Sequence, residues 1–133
     1  MDFIALDLIA LVTLLMFLEY FVFVSLVGMA RGKTGVQAPA MTGDPFFERT
    51  LRVQQNTLEQ LIYILPSMWL FGMYVSEMWG AIAGVVFIVG RALFAMGYRK
   101  EAGKRSTGFL IGMLAGMVLL LGALYGVISK LLA

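Results

Sequence analysis

The amino-acid sequence predicts an all-α membrane protein, a four-transmembrane-helix bundle that forms one domain over residues 1–133. Three observations predict it. The chain is 61% hydrophobic with a mean hydropathy of +0.91, well above the roughly 45–50% apolar content of soluble domains. Four apolar segments, at about 3–30, 47–75, 79–98 and 107–132, each reach the roughly 20 residues that a helix needs to cross a bilayer. Nine of the ten Lys and Arg residues (31, 33, 49, 52, 91, 99, 100, 104 and 105) fall in or near the first and third connections, and only Lys130 falls at the other end.

The first segment starts at Phe3 and is interrupted only by Asp7 and Glu19. It opens MDFIALD, without a basic start, and its apolar run exceeds the roughly 7–15 residues of a signal peptide, so it is expected to be a retained span. Residues 31–45 form a polar connection containing glycine and proline. The second segment, FERTLRVQQNTLEQLIYILP at its start, is polar in its first half, and Pro66 is a usual source of a kink. Ser76 to Met78 is a very short connection between Tyr74 and Trp79, a placement typical of interfacial aromatics. In the third segment Gly80 and Gly84, and in the fourth Gly108, Gly112 and Gly116, recur every four residues, a spacing that lets helices approach closely in lipid. The basic stretch RKEAGKRS joins these two segments. With four spans, the first and third connections share one side, which the positive-inside rule makes cytoplasmic; both termini are then expected outside the cytoplasm. The ending SKLLA carries no ER retrieval signal, and a bacterial inner membrane is the expected location rather than the ER.

Several chemistries are excluded. The chain has no cysteine and no histidine, which removes thiolate nucleophiles, disulfides and the commonest metal ligand and general base. No metal site is expected, and a net charge of +2 gives no expectation of a nucleic-acid partner. Any chemistry must rest on Arg, Lys, Tyr, Ser, Thr or carboxylates, or on a bound small molecule.

At about 100° per residue, positions 48, 49, 52, 56, 59, 63 and 66 share one helical face within about 120°. Arg52 and Asn56 stack a turn apart with Glu59 just beyond. Arg91, Phe94 and Tyr98 form a similar stripe on the third segment, and Arg105 sits at the start of the fourth. These groups lie at one membrane depth. Headgroup snorkelling accounts for Lys33, Arg99, Lys100 and Lys104, but Asn56 and Glu59 gain nothing from anionic lipid. Ionisable groups inside a span usually face a protein interior or a water-filled cavity. Two readings stay open: a structural Arg–Glu network in which these groups satisfy one another, or a bound polar ligand; for Glu19 of the first span, pairing with an arginine of the third span is one option. Arginine forks suit carboxylates and Glu59 suits an amine. A peptide-like zwitterion fits, a glutathione-like tripeptide being one option among several.

The pattern F-E-R-x-x-R-x-Q-x-N-x-x-E at residues 47–59 resembles the signature of the MAPEG family, the membrane-associated proteins in eicosanoid and glutathione metabolism, and G-R-x-x-F-x-x-G-Y at 90–98 resembles its second motif. Ala30-Arg31, Pro39, Thr42-Gly43 and Pro45 are similar to the lead-in of the microsomal glutathione transferase and leukotriene C4 synthase branch. The resemblance implies a homotrimer of four-helix bundles that binds glutathione as co-substrate between subunits near the cytoplasmic face. It implies glutathione contacts from Arg52, Gln54, Asn56, Glu59 and Tyr98, a contact from the adjoining subunit's Arg31, and stabilisation of the glutathione thiolate by Arg105. Gln60 and Phe94 stand where the leukotriene C4 synthase branch has tyrosines, and Gly32 replaces a second arginine.

The function implied is that of a glutathione-dependent transferase or peroxidase. A free thiol has a pKa of about 8.5 and is only a few per cent thiolate at neutral pH. A guanidinium in a partly shielded site favours the nucleophilic anion, and a hydrophobic electrophile would reach it from the membrane lipid. Two other classes are compatible with the sequence. One is a non-catalytic lipid- or glutathione-binding scaffold of the same fold, which a conjugation assay discriminates. The other is a small channel or transporter, disfavoured by the clustering of charge at one depth and by the apolar last span.

Overall fold

The computed structural model describes residues 6–133; the expected start of the first span at Phe3 lies outside them. The described chain is all-α: α1 (Asp7–Thr34), α2 (Pro45–Tyr74), α3 (Glu77–Lys100), one 3₁₀ turn (Ala102–Arg105) and α4 (Ser106–Leu132). Local chemistry sets the boundaries. Helix α1 ends at Gly35, whose φ of 80° lies in the left-handed region, and the Gly35 N–H donates to the Arg31 carbonyl at 2.9 Å. The Asp44 carboxylate caps α2 by accepting from the Phe47 N–H at 3.0 Å, with Pro45 at the first helical position. The Ser76 hydroxyl caps α3 in the same way, accepting from the Trp79 N–H at 3.2 Å.

Helices α1, α3 and the stretch that contains α4 are each long and apolar enough to cross a membrane. Helix α2 is long enough but does not meet the same test, because charges and amides fill its first half. The molecule is inside-out relative to a soluble bundle. Large apolar side chains such as Leu14, Phe21, Ile62 and Tyr125 are exposed on its periphery, where lipid rather than water solvates them. The main apolar cluster of the interior runs through all four helices, with Ile9 and Met16 of α1, Ile64 and Met68 of α2, Phe87 of α3 and Leu119 of α4 among its buried members, and two smaller clusters form around Phe23, Val53 and Phe94 and around Val27, Phe47 and Leu51.

Without a hydrophobic drive between helices in lipid, close backbone contact must supply much of the association, and the α3–α4 glycines provide it. A Cβ built on Gly108 would collide with the Phe94 backbone nitrogen, and one on Gly90 would lie 2.6 Å from the Gly112 nitrogen. Neither neighbour is a flexible side-chain tip. Gly108→Ala is therefore expected to destabilise the bundle by about 1–3 kcal/mol, the usual cost of overpacking. Gly103→Ala, with open space around its Cβ, should stay within about 0.5 kcal/mol. Thermal unfolding in one detergent compares them; equal midpoints would remove the close-approach argument. The same tightness continues to the end of α3. A Cβ on Gly97 would collide with the Lys104 carbonyl oxygen, so the 3₁₀ turn folds down onto α3 and sets the position of Arg105.

Candidate functional site

The polar first half of α2, the last turns of α3 and the start of α4 enclose a cavity of about 640 Å³, within the roughly 300–1,000 Å³ range of small-molecule sites. Helix α2 contributes Arg52, Gln55, Asn56 and Glu59; α3 contributes Phe94 and Tyr98; the 3₁₀ turn and α4 contribute Arg105, Ser106, Phe109 and Leu110. The α2 side thus carries an arginine, two amides and a carboxylate, and the other side is aromatic and apolar apart from Arg105 and Ser106.

Arg52, Asn56 and Glu59 meet here because their spacings of four and three residues hold them on one helical face. The carboxamide oxygen of Asn56 is buried with no hydrogen-bond partner among the described residues, which leaves it free to accept from a ligand. Arg52, Glu59 and Arg105 are likewise outside any ion pair, the one pair among the described residues being the surface contact of Lys104 with Glu101 at 3.8 Å. That contact, between mostly exposed side chains, contributes little to stability.

The aromatic wall is a column. Phe94 and Tyr98 stack with ring centroids 5.4 Å apart and planes inclined by 17°. The Arg105 guanidinium lies over the outer ring, 5.9 Å from the Tyr98 centroid, and the Arg91 guanidinium lies over the inner ring, 4.3 Å from the Phe94 centroid. Phe109 flanks the column at 6.4 Å from Phe94.

Five of the seven residues expected to bind or activate glutathione therefore share the cavity: Arg52, Asn56, Glu59, Tyr98 and Arg105. Gln54 is elsewhere; its amide donates to the Tyr20 hydroxyl at 2.9 Å and ties α2 to α1. The next residue, Gln55, faces the cavity instead. Arg31 is also apart. Its guanidinium donates to the Ala40 carbonyl at 2.8 Å and covers the Phe47 ring at 4.6 Å, beside a separate cleft of about 410 Å³ lined by Gly35, Val36 and Gln37.

Arg91 is not in the cavity wall. It is 0% exposed, and its Nε and one Nη donate to the Thr57 hydroxyl at 3.2 and 2.8 Å. Thr57 in turn donates to the Val53 carbonyl at 2.7 Å. Glu19 forms no ion pair with Arg91 among the described residues.

The sequence did not single out Gln55, Ser106, Phe109 or Leu110. A signal for Gln55 was present: it stands seven residues from Glu48, two turns along the same polar face. For Phe109 and Leu110 there was none, since apolar residues on an apolar span look alike wherever they point.

A family model described as the MAPEG family matches residues 9–125. An uncharacterized protein of Synechocystis is 49% identical over 122 residues, covering 92% of this chain and 89% of that one. The human protein named microsomal glutathione S-transferase 2 is 39% identical over 118 residues, 88% of this chain and 80% of its own. The guinea-pig (Cavia porcellus) leukotriene C4 synthase is 34% identical over 125 residues, 94% and 83% of the two chains.

Proposed function

This chain belongs to the MAPEG family and is an integral membrane protein, and from that premise we propose that it is a glutathione-dependent transferase, with peroxidase chemistry open to the same site. The single observation that carries the reading is the convergence of Arg52, Asn56, Glu59, Tyr98 and Arg105 on one cavity at the basic end of the bundle. Glutathione has two carboxylates, one amino group, amide linkages and a thiol, and these residues offer a matching set of partners. Arg52 takes a carboxylate through its forked donors. Glu59 takes the amino group, and Asn56 with its unpaired oxygen takes an amide N–H.

Arg105, at the mouth between the 3₁₀ turn and α4, acts on the sulfur. Its positive charge favours the thiolate over the thiol. The released proton passes to solvent, and the sulfur lone pair attacks an electrophilic carbon. A C–S bond forms and a leaving group departs, or a strained ring opens. With a hydroperoxide the sulfur attacks the O–O bond instead, and a second glutathione completes the reduction to alcohol, water and glutathione disulfide. The hydrophobic electrophile comes from the bilayer and lies against Phe109 and Leu110.

Titrating the detergent-solubilised protein with glutathione while following thiolate absorbance tests the proposal. Absorbance should appear well below the pH at which free glutathione ionises, and an activated aryl halide should be conjugated. Thiolate without turnover would leave a non-catalytic glutathione-binding scaffold; no thiolate and no binding would end the reading.

The site is proposed to be completed by a second subunit of a homotrimer, with the cytoplasm on the basic side. Support comes from Arg31, which the family resemblance assigns to glutathione yet which lies away from the cavity of its own protomer. Co-expressing Arg31→Ala chains with Arg105→Ala chains is then expected to restore activity to mixed assemblies, since some sites take both arginines from different chains. If the mixtures are as inactive as each variant alone, the shared site is wrong.

A further inference from the structure

Arg91 is the largest fully buried side chain among the described residues, and the polar partners it has do not account for its charge. The Thr57 hydroxyl accepts two of its N–H groups, and the remaining nitrogen, Nη1, has no partner among the described residues. A guanidinium is always protonated in proteins, so a full positive charge sits in the interior of a membrane protein. Burying one that is only half partnered is costly, which asks what the charge is for.

Its surroundings, taken element by element, are nearly free of counter-charge. From α1 comes Glu19, within electrostatic reach but outside ion-pair distance. From α2 come neutral Thr57 and the phenol of Tyr63. From α4 comes Gly112, whose added Cβ would lie 3.7 Å from the Arg91 side chain. On α3 itself the guanidinium is pressed against Phe94, and Phe94 is a wall of the cavity. The Phe94–Tyr98 stack therefore carries a cation at each end, Arg105 at the cavity mouth and Arg91 behind the wall.

We infer that Arg91 is a positioning residue that acts electrostatically, as a second fixed positive charge held behind Phe94 that works with Arg105 to keep an anion in the cavity. Resting on the glutathione reading, this makes the sulfur anion the beneficiary. Apolar helices and an aromatic ring, rather than water, lie between the charge and the cavity, so its field is weakly screened. A unit charge at roughly 10 Å in an effective dielectric of about 20 moves a thiol titration by on the order of one pH unit.

The experiment is a pH titration of thiolate absorbance in the glutathione-saturated protein, with the affinity for S-hexylglutathione, which has no thiol to ionise, measured alongside. Arg91→Met is expected to raise the thiolate midpoint by about one pH unit, a several-fold loss of thiolate at neutral pH, while S-hexylglutathione affinity stays within about threefold. Arg91→Lys, which keeps the charge, should restore most of the midpoint. An unchanged midpoint in Arg91→Met overturns the inference, and so does a rise that Arg91→Lys shares in full, because geometry alone would then explain it. If Arg91→Met fails to fold, Arg91→Gln decides: it keeps a polar group beside Thr57 and removes the charge, so the midpoint must still rise, and an unchanged midpoint refutes the assignment. Absence of bound thiolate in the wild-type protein would sink the glutathione reading and this inference together. A normal wild-type midpoint with an unmoved Arg91→Met midpoint would sink this inference alone.

Discussion

Arg105→Ala is expected to lower turnover at neutral pH about 10- to 30-fold, the loss of thiolate when the bound thiol is no longer held ionised, while glutathione affinity changes only several-fold. The two effects separate because Arg105 stands apart from the residues proposed to grip the tripeptide. It enters the cavity from the 3₁₀ turn and rests on the Tyr98 ring, whereas Arg52, Asn56 and Glu59 approach from α2. Loss of the guanidinium returns the bound thiol toward the free value of about 8.5, leaving a few per cent thiolate at neutral pH. Single-turnover rates measured against pH check this. The variant should recover much of its rate as pH rises through the range of a free thiol, since hydroxide then does what the arginine did. Wild-type turnover in Arg105→Ala would show that some other group activates the sulfur.

Glu59→Gln is expected to weaken glutathione binding about 10- to 100-fold, corresponding to the roughly 1.5–3 kcal/mol of a hydrogen bond to a charged group, with the thiolate midpoint nearly unmoved. The change keeps shape and removes charge. In the free protein Glu59 belongs to no ion pair among the described residues, so little internal structure is lost, and an affinity change reports on the ligand's amino group. Isothermal titration with glutathione and with its N-acetylated form provides the check: the variant should lose discrimination between the two. Equal affinity of wild type and variant for glutathione would remove Glu59 from the binding role. Together, these two substitutions divide the cavity into a gripping half and an activating half.

Much of the architecture was legible in the sequence because membranes impose few solutions. Long apolar runs must be helices when backbone polar groups have no water to turn to, and small residues at four-residue spacing must be where such helices touch. Helix α2 shows the limit of that logic. Its polar half disqualifies it as an apolar span by composition, yet those polar residues, read on a wheel, already placed Arg52, Asn56 and Glu59 together. Where the wheel stopped short was in choosing between neighbours: Gln54 and Gln55 differ by about 100° of rotation, and only the seating of α2 against α1 hands one to Tyr20 and the other to the cavity. Arg91 shows the opposite difficulty. Its position on a stripe with Phe94 and Tyr98 was readable, but a sequence carries no record that Thr57, on another helix, meets it.

What the sequence by itself determined was the class of molecule and the inventory of the site: an all-helical membrane protein with its cations at one end, no cysteine or histidine, and a polar face on its second helix. Periodicity and composition are local properties, and a bilayer turns local apolarity directly into fold. Tertiary structure alone decided which polar groups meet. It put Arg105 over Tyr98 by folding a 3₁₀ turn against Gly97, withdrew Arg91 behind Phe94, and kept Arg31 away from the cavity. The physical reason is that a side chain's partners across helices depend on helix rotation and approach distance, and these are settled by packing of the whole bundle.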